Sequence, residues 1–214
     1  MIETAVVVAG GAPGPTPIQP DVGEGTLVVA ADGGVDRALA LGLHVDVAIG
    51  DFDSVTAAGL AAVERAGARA ERHPAAKDAT DLELALDTAL AASPRRILVV
   101  GSESGRLDHV LSSLLLIADP RYAGAEVDAL LGGAQVHVIH GSRTLAGVPG
   151  ELVSLLAVHG PAEGVSTSGL VYALARETLV PGTSRGVSNV FATAEAEVSL
   201  DRGVLLAIRP GEDA

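Results

Sequence analysis

The feature that most constrains the fold is a series of short, wholly apolar segments that alternate with helical segments up to about residue 120. The apolar runs cover residues 5–9, 27–31, 45–49 and 97–100, and the helical patterns cover 35–41, 57–66, 80–92 and 107–118. Strands that are apolar on both faces and alternate with helices are typical of a parallel sheet with helices on both sides. We therefore predict an α/β fold class, with a Rossmann-like parallel sheet in the N-terminal domain.

The pattern changes near residue 126, where helical signatures fade and short β-like segments are separated by Gly, Pro and Ser. Strands are predicted at 135–140, 151–158, 165–174, 195–200 and 204–208, with a turn at Gly160-Pro161. This spacing predicts a small all-β domain, either a sandwich or a barrel. We expect an α/β catalytic domain over residues 1–125 and a β domain over residues 126–214.

Composition excludes several classes of function. The 214 residues contain no cysteine, which excludes disulfides, thiolate metal sites and a cysteine nucleophile. A formal net charge of -13 disfavours nucleic acid and anionic membrane surfaces as partners. Neither a basic leader nor an apolar stretch of about 20 residues is present, so we expect a cytoplasmic protein without a membrane partner.

Acidic residues follow the predicted strands. Asp51 and Asp53 come directly after the third apolar run, and residues two apart in an extended segment point the same way. Adjacent carboxylates repel each other unless a cation or a proton lies between them, and hard oxygen ligands suit Mg²⁺. A solvated turn is the alternative interpretation, and this motif alone does not decide between the two.

A second acidic pair, Asp78 and Asp81, flanks the predicted start of a helix. Ordinary helix capping explains Thr80 and Asp81, but it does not explain Lys77 and Asp78. Lys77 is the only lysine beside thirteen arginines, which favours a compact ammonium group placed against phosphate.

Two further clusters lie at strand ends. Arg106 is suited to binding phosphate oxygens, and Asp108 is a third candidate acid. The turn Asp32-Gly33-Gly34 follows the second run and is suited to cradling a ligand. Because parallel strands present their carboxyl ends at one edge, these acids should share that edge, where a site for Mg²⁺ and a nucleotide is the simplest explanation. The carboxylates concerned are Asp32, Asp51, Asp53, Asp78, Asp81 and Asp108.

Two of the four aromatic residues, Tyr172 and Phe191, lie in Gly- and Ser-marked segments of the second half. Each is suited either to filling the core or, with neighbouring Ser and Asn, to binding a flat heterocycle. The residue pattern leaves both interpretations open.

The motifs taken together resemble the thiamine pyrophosphokinase family. They are ADGGVDRALALG at 31–42, VDVAIGDFDSV at 45–55, KDATDLELAL at 77–86, GRLDHVLSSL at 105–114 and the run from GVSTSGLVYAL to GVSNVF at 164–191. They occur in the family's order and span both halves of the chain. One departure is the 101–105 loop, GSESG, where the family is usually richer in glycine; the Gly10–Gly14 loop is too generic to assign.

The resemblance implies transfer of a diphosphoryl group from ATP to the hydroxyl of thiamine, releasing AMP. It also implies a homodimer with active sites at the subunit interface. By the same resemblance, Asp51, Asp53, Asp78 and Asp81 would bind Mg²⁺. Arg106 and Asp108 would join these four as catalytic residues and would bind or orient the nucleotide and its metal. The resemblance also implies that the nucleotide-binding positions are Asp32, Gly33, Gly34, Lys77 and Arg106. It implies that the thiamine-binding positions are Tyr172, Ser188 and Asn189.

Three other functions remain compatible with parts of the sequence. The nearest is a diphosphokinase acting on another hydroxyalkyl heterocycle, such as a pterin, and the match of the C-terminal motif to the thiamine-binding pattern argues against it. A glycosyltransferase shares only the Asp-x-Asp pattern of Asp51 and Asp53. A nucleotide-sensing module without catalysis would bind ATP independently of those two carboxylates.

Overall fold

The computed structural model describes residues 2–11, 20, 22–102 and 106–211. These divide into two compact units, one within 1–113 and 127–133, the other within 114–126 and 134–214. The first is α/β and the second is rich in antiparallel strands, which confirms the predicted fold class. The domain boundary between residues 125 and 126 stays a prediction.

The first unit is built on a sheet with the strand order β4-β3-β2-β1-β5-β6. Its strands are β1 Thr4–Ala9, β2 Leu27–Ala31, β3 Val47–Gly50, β4 Arg69–Arg72, β5 Arg96–Gly101 and β6 Glu126–Leu131. The pairs joining β1 to β5 are all parallel. Because the central strands are buried on both faces, they read as continuous apolar runs.

Helices connect these strands at the predicted positions. They are α1 Gly34–Ala40, α2 Ala57–Arg65, α3 Asp81–Ala91 and α4 Leu107–Ile117. Thr80 caps α3 by accepting a hydrogen bond from the Glu83 amide at 3.2 Å, and Thr56 caps α2 from Gly59 in the same way. The side-chain oxygens satisfy amides that have no partner within the helix, which explains where these helices begin.

Strand β4 does not follow from the hydrophobic pattern. Its sequence is RAER and most of it is exposed, so it lacks the apolar signature of the other strands. It forms because it pairs along one side with β3, from Val47–Arg69 to Gly50–Arg72 in register. An edge strand needs less apolar surface than a central one, and charged side chains there discourage pairing with other chains.

The second unit is an antiparallel sheet with the order β7-β13-β9-β12-β8. Strands β10 and β11 pair with β9 outside this order. The strands are β7 Ala134–Ile139, β8 Ser142–Ala146, β9 Leu152–Ser168, β10 Glu177–Leu179, β11 Asn189–Val190, β12 Glu195–Ser199 and β13 Arg202–Arg209. The core of the unit includes Leu155, Val165, Val198 and Leu205, all fully buried.

The predicted turn at Gly160-Pro161 is wrong, because β9 runs through it as one strand of 17 residues. His159, Gly160 and Gly164 have φ angles of 58°, 124° and 70°, which bend the strand without ending it. The strand then stops at Ser168, short of the predicted end at residue 174. A Gly-Pro pair at a bend and one at a turn look alike in sequence.

In the described ranges, no helix is long and apolar enough to cross a membrane.

Candidate functional site

Three carboxylates meet at the carboxyl edge of the parallel sheet. Asp32 follows β2, and Asp51 and Asp53 follow β3. One oxygen from each lies within 4.8 Å of the others. The neighbouring strands β2 and β3 end side by side, which brings residues about twenty positions apart in sequence into one group.

Asp32 has an unusual backbone conformation within this group. Its φ angle is 45°, in the left-handed region, while its amide donates to the Ile49 carbonyl at 2.9 Å. Its Oδ1 atom is buried and has no hydrogen-bond partner among the described residues. Such an oxygen beside two further carboxylates is costly without a cation. The donor set, hard oxygens only, therefore fits a divalent cation such as Mg²⁺.

The turn after β3 directs Asp51 and Asp53 away from the core. Phe52 between them has a φ of 62° and is 9% exposed, so its ring anchors the turn in the core of the first unit. The Asp53 amide donates to Asp51 Oδ1 at 3.2 Å, and Ser54 Oγ donates to Asp53 Oδ1 at 2.7 Å. Asp51 and Asp53 lie in one group of carboxylates, but the segment that bears them is not extended as expected, because Phe52 has a left-handed φ angle.

Glycines permit the close approach of these segments. A Cβ atom on Gly50 (φ 149°) would lie 3.1 Å from Asp32 Cβ and 3.2 Å from Asp81 Oδ1. One on Gly33 would lie 3.4 Å from the Ser54 carbonyl oxygen, and one on Gly34 would overlap the Val8 carbonyl. The turn at 32–34 is thus packed against the end of β1 and the loop after β3.

The second acidic pair is divided by the fold. Asp81, at the start of α3, lies beside Gly50 and forms an ion pair with Lys77, Nζ to Oδ1 at 3.0 Å. Lys77 also donates to the Pro74 carbonyl at 3.1 Å. Asp78 is exposed and lies outside the group of three carboxylates. Metal-binding roles for Asp78 and Asp81 stay predictions. Asp32, to which the resemblance gives a nucleotide-binding role, lies within the group.

Arg106 and Asp108 form an exposed ion pair at the start of α4, with Nη2 and Oδ2 2.6 Å apart. Their hydrogen bond lowers the pKa of the Asp108 carboxyl and raises the pKa of Arg106. Both side chains are more than half exposed, so solvent weakens this pairing. Residues 103–105 of the preceding loop, and residues 12–14 of the Gly10–Gly14 loop, lie outside the described residues.

Sequence reasoning missed Arg37, which lies on α1. Its Nη1 donates to the Gly101 carbonyl at 3.0 Å and its Nη2 to the Gly11 carbonyl at 3.5 Å, so it connects the ends of β5 and β1. Burial lowers the pKa of this guanidinium. The available sequence signal was an arginine in the predicted helix that directly follows the turn Asp32-Gly33-Gly34.

Arg72 was also missed, because β4 itself was not predicted. Its Nη1 donates to the Asp51 carbonyl at 2.9 Å. Its Cζ lies 4.9 Å from the centre of the Phe52 ring, within the range of a cation–π contact. Arg72 thus contacts two successive residues of the turn that bears the carboxylates.

The second unit contains a cavity of about 520 Å³. Its lining comprises Tyr172, Leu174 and the segment 184–189. Tyr172 is 59% exposed there, whereas Phe191 is 1% exposed and belongs to the core. The two aromatics left open by the sequence therefore differ, since Tyr172 is exposed at this cavity and Phe191 is buried in the core.

Asn189 and Ser188 line the same cavity. Asn189 is 2% exposed, and its side chain accepts from the Tyr172 amide at 3.0 Å and donates to the Tyr172 carbonyl at 2.8 Å. These bonds position Tyr172. Ser188 has a φ of 55° and its amide donates to Ser154 Oγ at 3.1 Å.

Arg185 also lines the cavity and was not anticipated from the sequence. It forms a two-point ion pair with Glu177, at 2.6 and 2.9 Å. The hydrogen bonds raise the pKa of Arg185 and lower the pKa of Glu177. The pairing balances a positive charge at the cavity wall.

Two family models match the two halves of the chain in order. Residues 22–128 match the model described as thiamin pyrophosphokinase, catalytic domain, and residues 136–205 match its vitamin B1 binding domain. The chain belongs to the thiamin pyrophosphokinase family. The group of three carboxylates falls in the first match and the cavity falls in the second.

Members of the thiamin pyrophosphokinase family resemble the chain over nearly its whole length. A thiamine pyrophosphokinase of Bacillus subtilis (strain 168) is 28% identical over 223 residues, which cover 97% of this chain and 99% of that protein. A crystal structure of thiamine pyrophosphokinase from Bacillus subtilis has a TM-score of 0.83 and 26% identity, covering 98% and 100% of the two chains. A family protein from Enterococcus faecalis has a TM-score of 0.81 and 27% identity, covering 98% and 99%.

Proposed function

We propose that this chain is a thiamine diphosphokinase, which transfers the diphosphoryl group of ATP to the hydroxyl of thiamine and releases AMP. The observation that carries the proposal is the ordered match of both halves to the two domains of one enzyme family. In this reaction a bond forms between the thiamine hydroxyl oxygen and the β-phosphorus of ATP. The bond from that phosphorus to the α-β bridging oxygen breaks, and the hydroxyl proton is lost.

The metal proposal concerns Mg²⁺. The group of Asp32, Asp51 and Asp53 supports it, because three carboxylates within 4.8 Å include one buried oxygen with no hydrogen-bond partner among the described residues. When bound, Mg²⁺ supplies charge neutralisation to the phosphates of ATP. Asp81, which lies beside Gly50, and the exposed Asp78 complete the proposed acidic site.

Cationic side chains at the same edge would bind phosphate oxygens. Lys77 lies beside Asp81. Arg106 is exposed at the start of α4, and its ion-pair partner Asp108 is exposed as well, so the pair can open to bind phosphate. Positive groups fixed beside a reacting phosphate stabilise the charge that develops there. Asp108 orients the Arg106 guanidinium through their hydrogen bonds.

The cavity of the second unit is the proposed thiamine site. Tyr172 offers an exposed ring for stacking on a flat heterocycle, and Asn189 positions it. Ser188 lines the same cavity. Thiamine is cationic, and the neutralised Arg185–Glu177 pair leaves no uncompensated positive charge there.

We also propose a homodimer with active sites at the subunit interface. Helix α4 supports this because Leu107, Leu111 and Leu115 recur every four residues and are 80%, 55% and 37% exposed. This apolar stripe is suited to burial against a second copy of the chain. A cytoplasmic location stays a prediction.

Product analysis tests the reaction directly. Purified protein is incubated with thiamine, ATP and Mg²⁺, and the phosphorus-containing species and nucleotides are separated. Thiamine diphosphate appearing with equimolar AMP is the expected result. ADP with thiamine monophosphate would contradict the diphosphoryl transfer, and AMP formed only with other hydroxyalkyl heterocycles would contradict the substrate. ATP binding that persists in Asp51→Asn/Asp53→Asn, without any product from the wild-type protein, would favour a nucleotide-sensing module.

A further inference from the structure

We infer that Arg72 is a positioning residue that holds the carboxylate-bearing turn after β3 in its metal-binding conformation. The inference rests on the proposed function, since it concerns the proposed Mg²⁺ site. Arg72 touches the turn at two points, the Asp51 carbonyl at 2.9 Å and the Phe52 ring at 4.9 Å. It makes these contacts from β4, a different strand from the one that leads into the turn.

The turn needs such support because its backbone is strained. Phe52 has a φ of 62°, a conformation that costs a non-glycine residue free energy and persists only where its surroundings impose it. The buried ring holds the residue from below. Arg72 lies over the Phe52 ring and donates a hydrogen bond to the carbonyl of Asp51, the residue before Phe52. Two contacts to adjacent residues restrict rotation of the Asp51–Phe52 peptide.

The orientation of that peptide sets the spacing of the carboxylates. Asp51 precedes it and Asp53 follows it by one residue, so a rotation there changes the distance between the two side chains. Residues outside the ligand set that orient ligands typically alter metal affinity by about 10- to 100-fold when they are replaced. We assign this supporting role to Arg72.

The sign of the effect separates this role from simple electrostatics. A positive charge near three carboxylates repels a cation, so removing Arg72 would tighten cation binding if charge were its only influence. If Arg72 positions the turn, its removal weakens binding instead. The two explanations therefore predict opposite changes in the same measurement.

The test is titration of the full-length protein with Mn²⁺, with the free ion followed by electron paramagnetic resonance, in the presence and absence of a non-hydrolysable ATP analogue. We expect Arg72→Gln to weaken Mn²⁺ binding by roughly tenfold, the lower end of the range for such supporting residues. Arg72→Lys, which keeps the charge but loses the planar fork, should also bind more weakly than wild type.

Arg69→Gln is the matched control. Arg69 lies on the same strand, pairs with Glu71 and is 67% exposed, so its replacement removes the same charge without touching the turn. It should bind Mn²⁺ at least as tightly as the wild type. Wild-type or tighter binding by folded Arg72→Gln, with a circular dichroism spectrum like that of the wild type, would overturn the inference. Failure of the wild-type protein to bind Mn²⁺ in either condition would instead overturn the proposed metal site on which the inference rests.

Discussion

The carboxylates of Asp51 and Asp53 give the most direct prediction about activity. Asp51→Asn combined with Asp53→Asn removes two of the three grouped negative charges but keeps side-chain size. Turnover should fall by at least about two orders of magnitude, the scale of losing one electrostatic stabiliser of a transition state. Steady-state assay of thiamine diphosphate formation measures this effect.

Stability should respond differently from activity in that double variant. Asp53 is exposed and Asp51 partly so, and their removal relieves repulsion within the group. We expect an unchanged or slightly raised Tm in the absence of metal. Asp87→Asn, at an exposed position on α3, is the control and should retain activity. Wild-type turnover in the double variant would rule out the metal assignment.

Tyr172 is the exposed aromatic residue that lines the cavity of the second unit. Tyr172→Ala should weaken thiamine binding by about 1–3 kcal/mol, the scale measured for base–aromatic stacking. Tyr172→Phe keeps the ring and should bind within about threefold of wild type, since a stacked ring needs no hydroxyl. Calorimetric titration with thiamine measures both. Equal affinity in Tyr172→Ala and wild type would remove Tyr172 from the proposed site.

The packing of helix α1 against strand β1 requires a glycine at residue 34, because a side chain there would overlap the strand. Gly34 begins α1, and a Cβ there would overlap the Val8 carbonyl at the end of β1. Alanine favours helix over glycine by roughly 1 kcal/mol, so a helix effect alone would stabilise Gly34→Ala. We expect the overlap to dominate and to lower the free energy of unfolding by about 1–3 kcal/mol, the usual cost of overpacking.

Urea denaturation measures that change. Gly23→Ala is the matched control, because a Cβ on Gly23 has no described atom within 4 Å. Its free energy of unfolding should stay within about 0.5 kcal/mol of wild type, as for most surface changes. A Gly34→Ala protein more stable than wild type would show that α1 and β1 are not packed as closely as described.

At the scale of elements, the sequence predicted those whose signal is local. The four helices and four apolar strands of the first unit follow from hydrophobic periodicity and capping residues. Strand β4 was missed because edge pairing with β3, not burial, stabilises it. The continuous course of β9 was missed because left-handed residues at His159 and Gly160 bend the strand where a turn was predicted.

The assembly of the whole molecule is tested through α4. Leu111→Glu places a charge in the centre of the exposed apolar stripe, and desolvating that charge at an interface is unfavourable. Sedimentation velocity should show a dimer for wild type and a monomer for Leu111→Glu. Ser112→Glu adds the same charge at the next, polar position and should remain dimeric. A dimer of unchanged stability in Leu111→Glu would place the interface elsewhere.

For the molecule as a whole, the sequence by itself determined the fold class, the change from α/β to β-rich structure, and the resemblance to one enzyme family. These follow from patterns within short segments and from the order of motifs along the chain. It also identified the edge of the sheet where the acidic residues collect, because parallel strands end on one side.

Only the tertiary structure decided which of those acids meet. Asp32 joins Asp51 and Asp53, whereas Asp78 is exposed and Asp81 is paired with Lys77. It likewise placed Arg72 against the turn after β3. Strand pairing sets which distant residues become neighbours, and side-chain distances of a few ångströms depend on that register and on backbone angles. Neither the strand register nor the backbone angles can be read from the spacing of residue types along the chain.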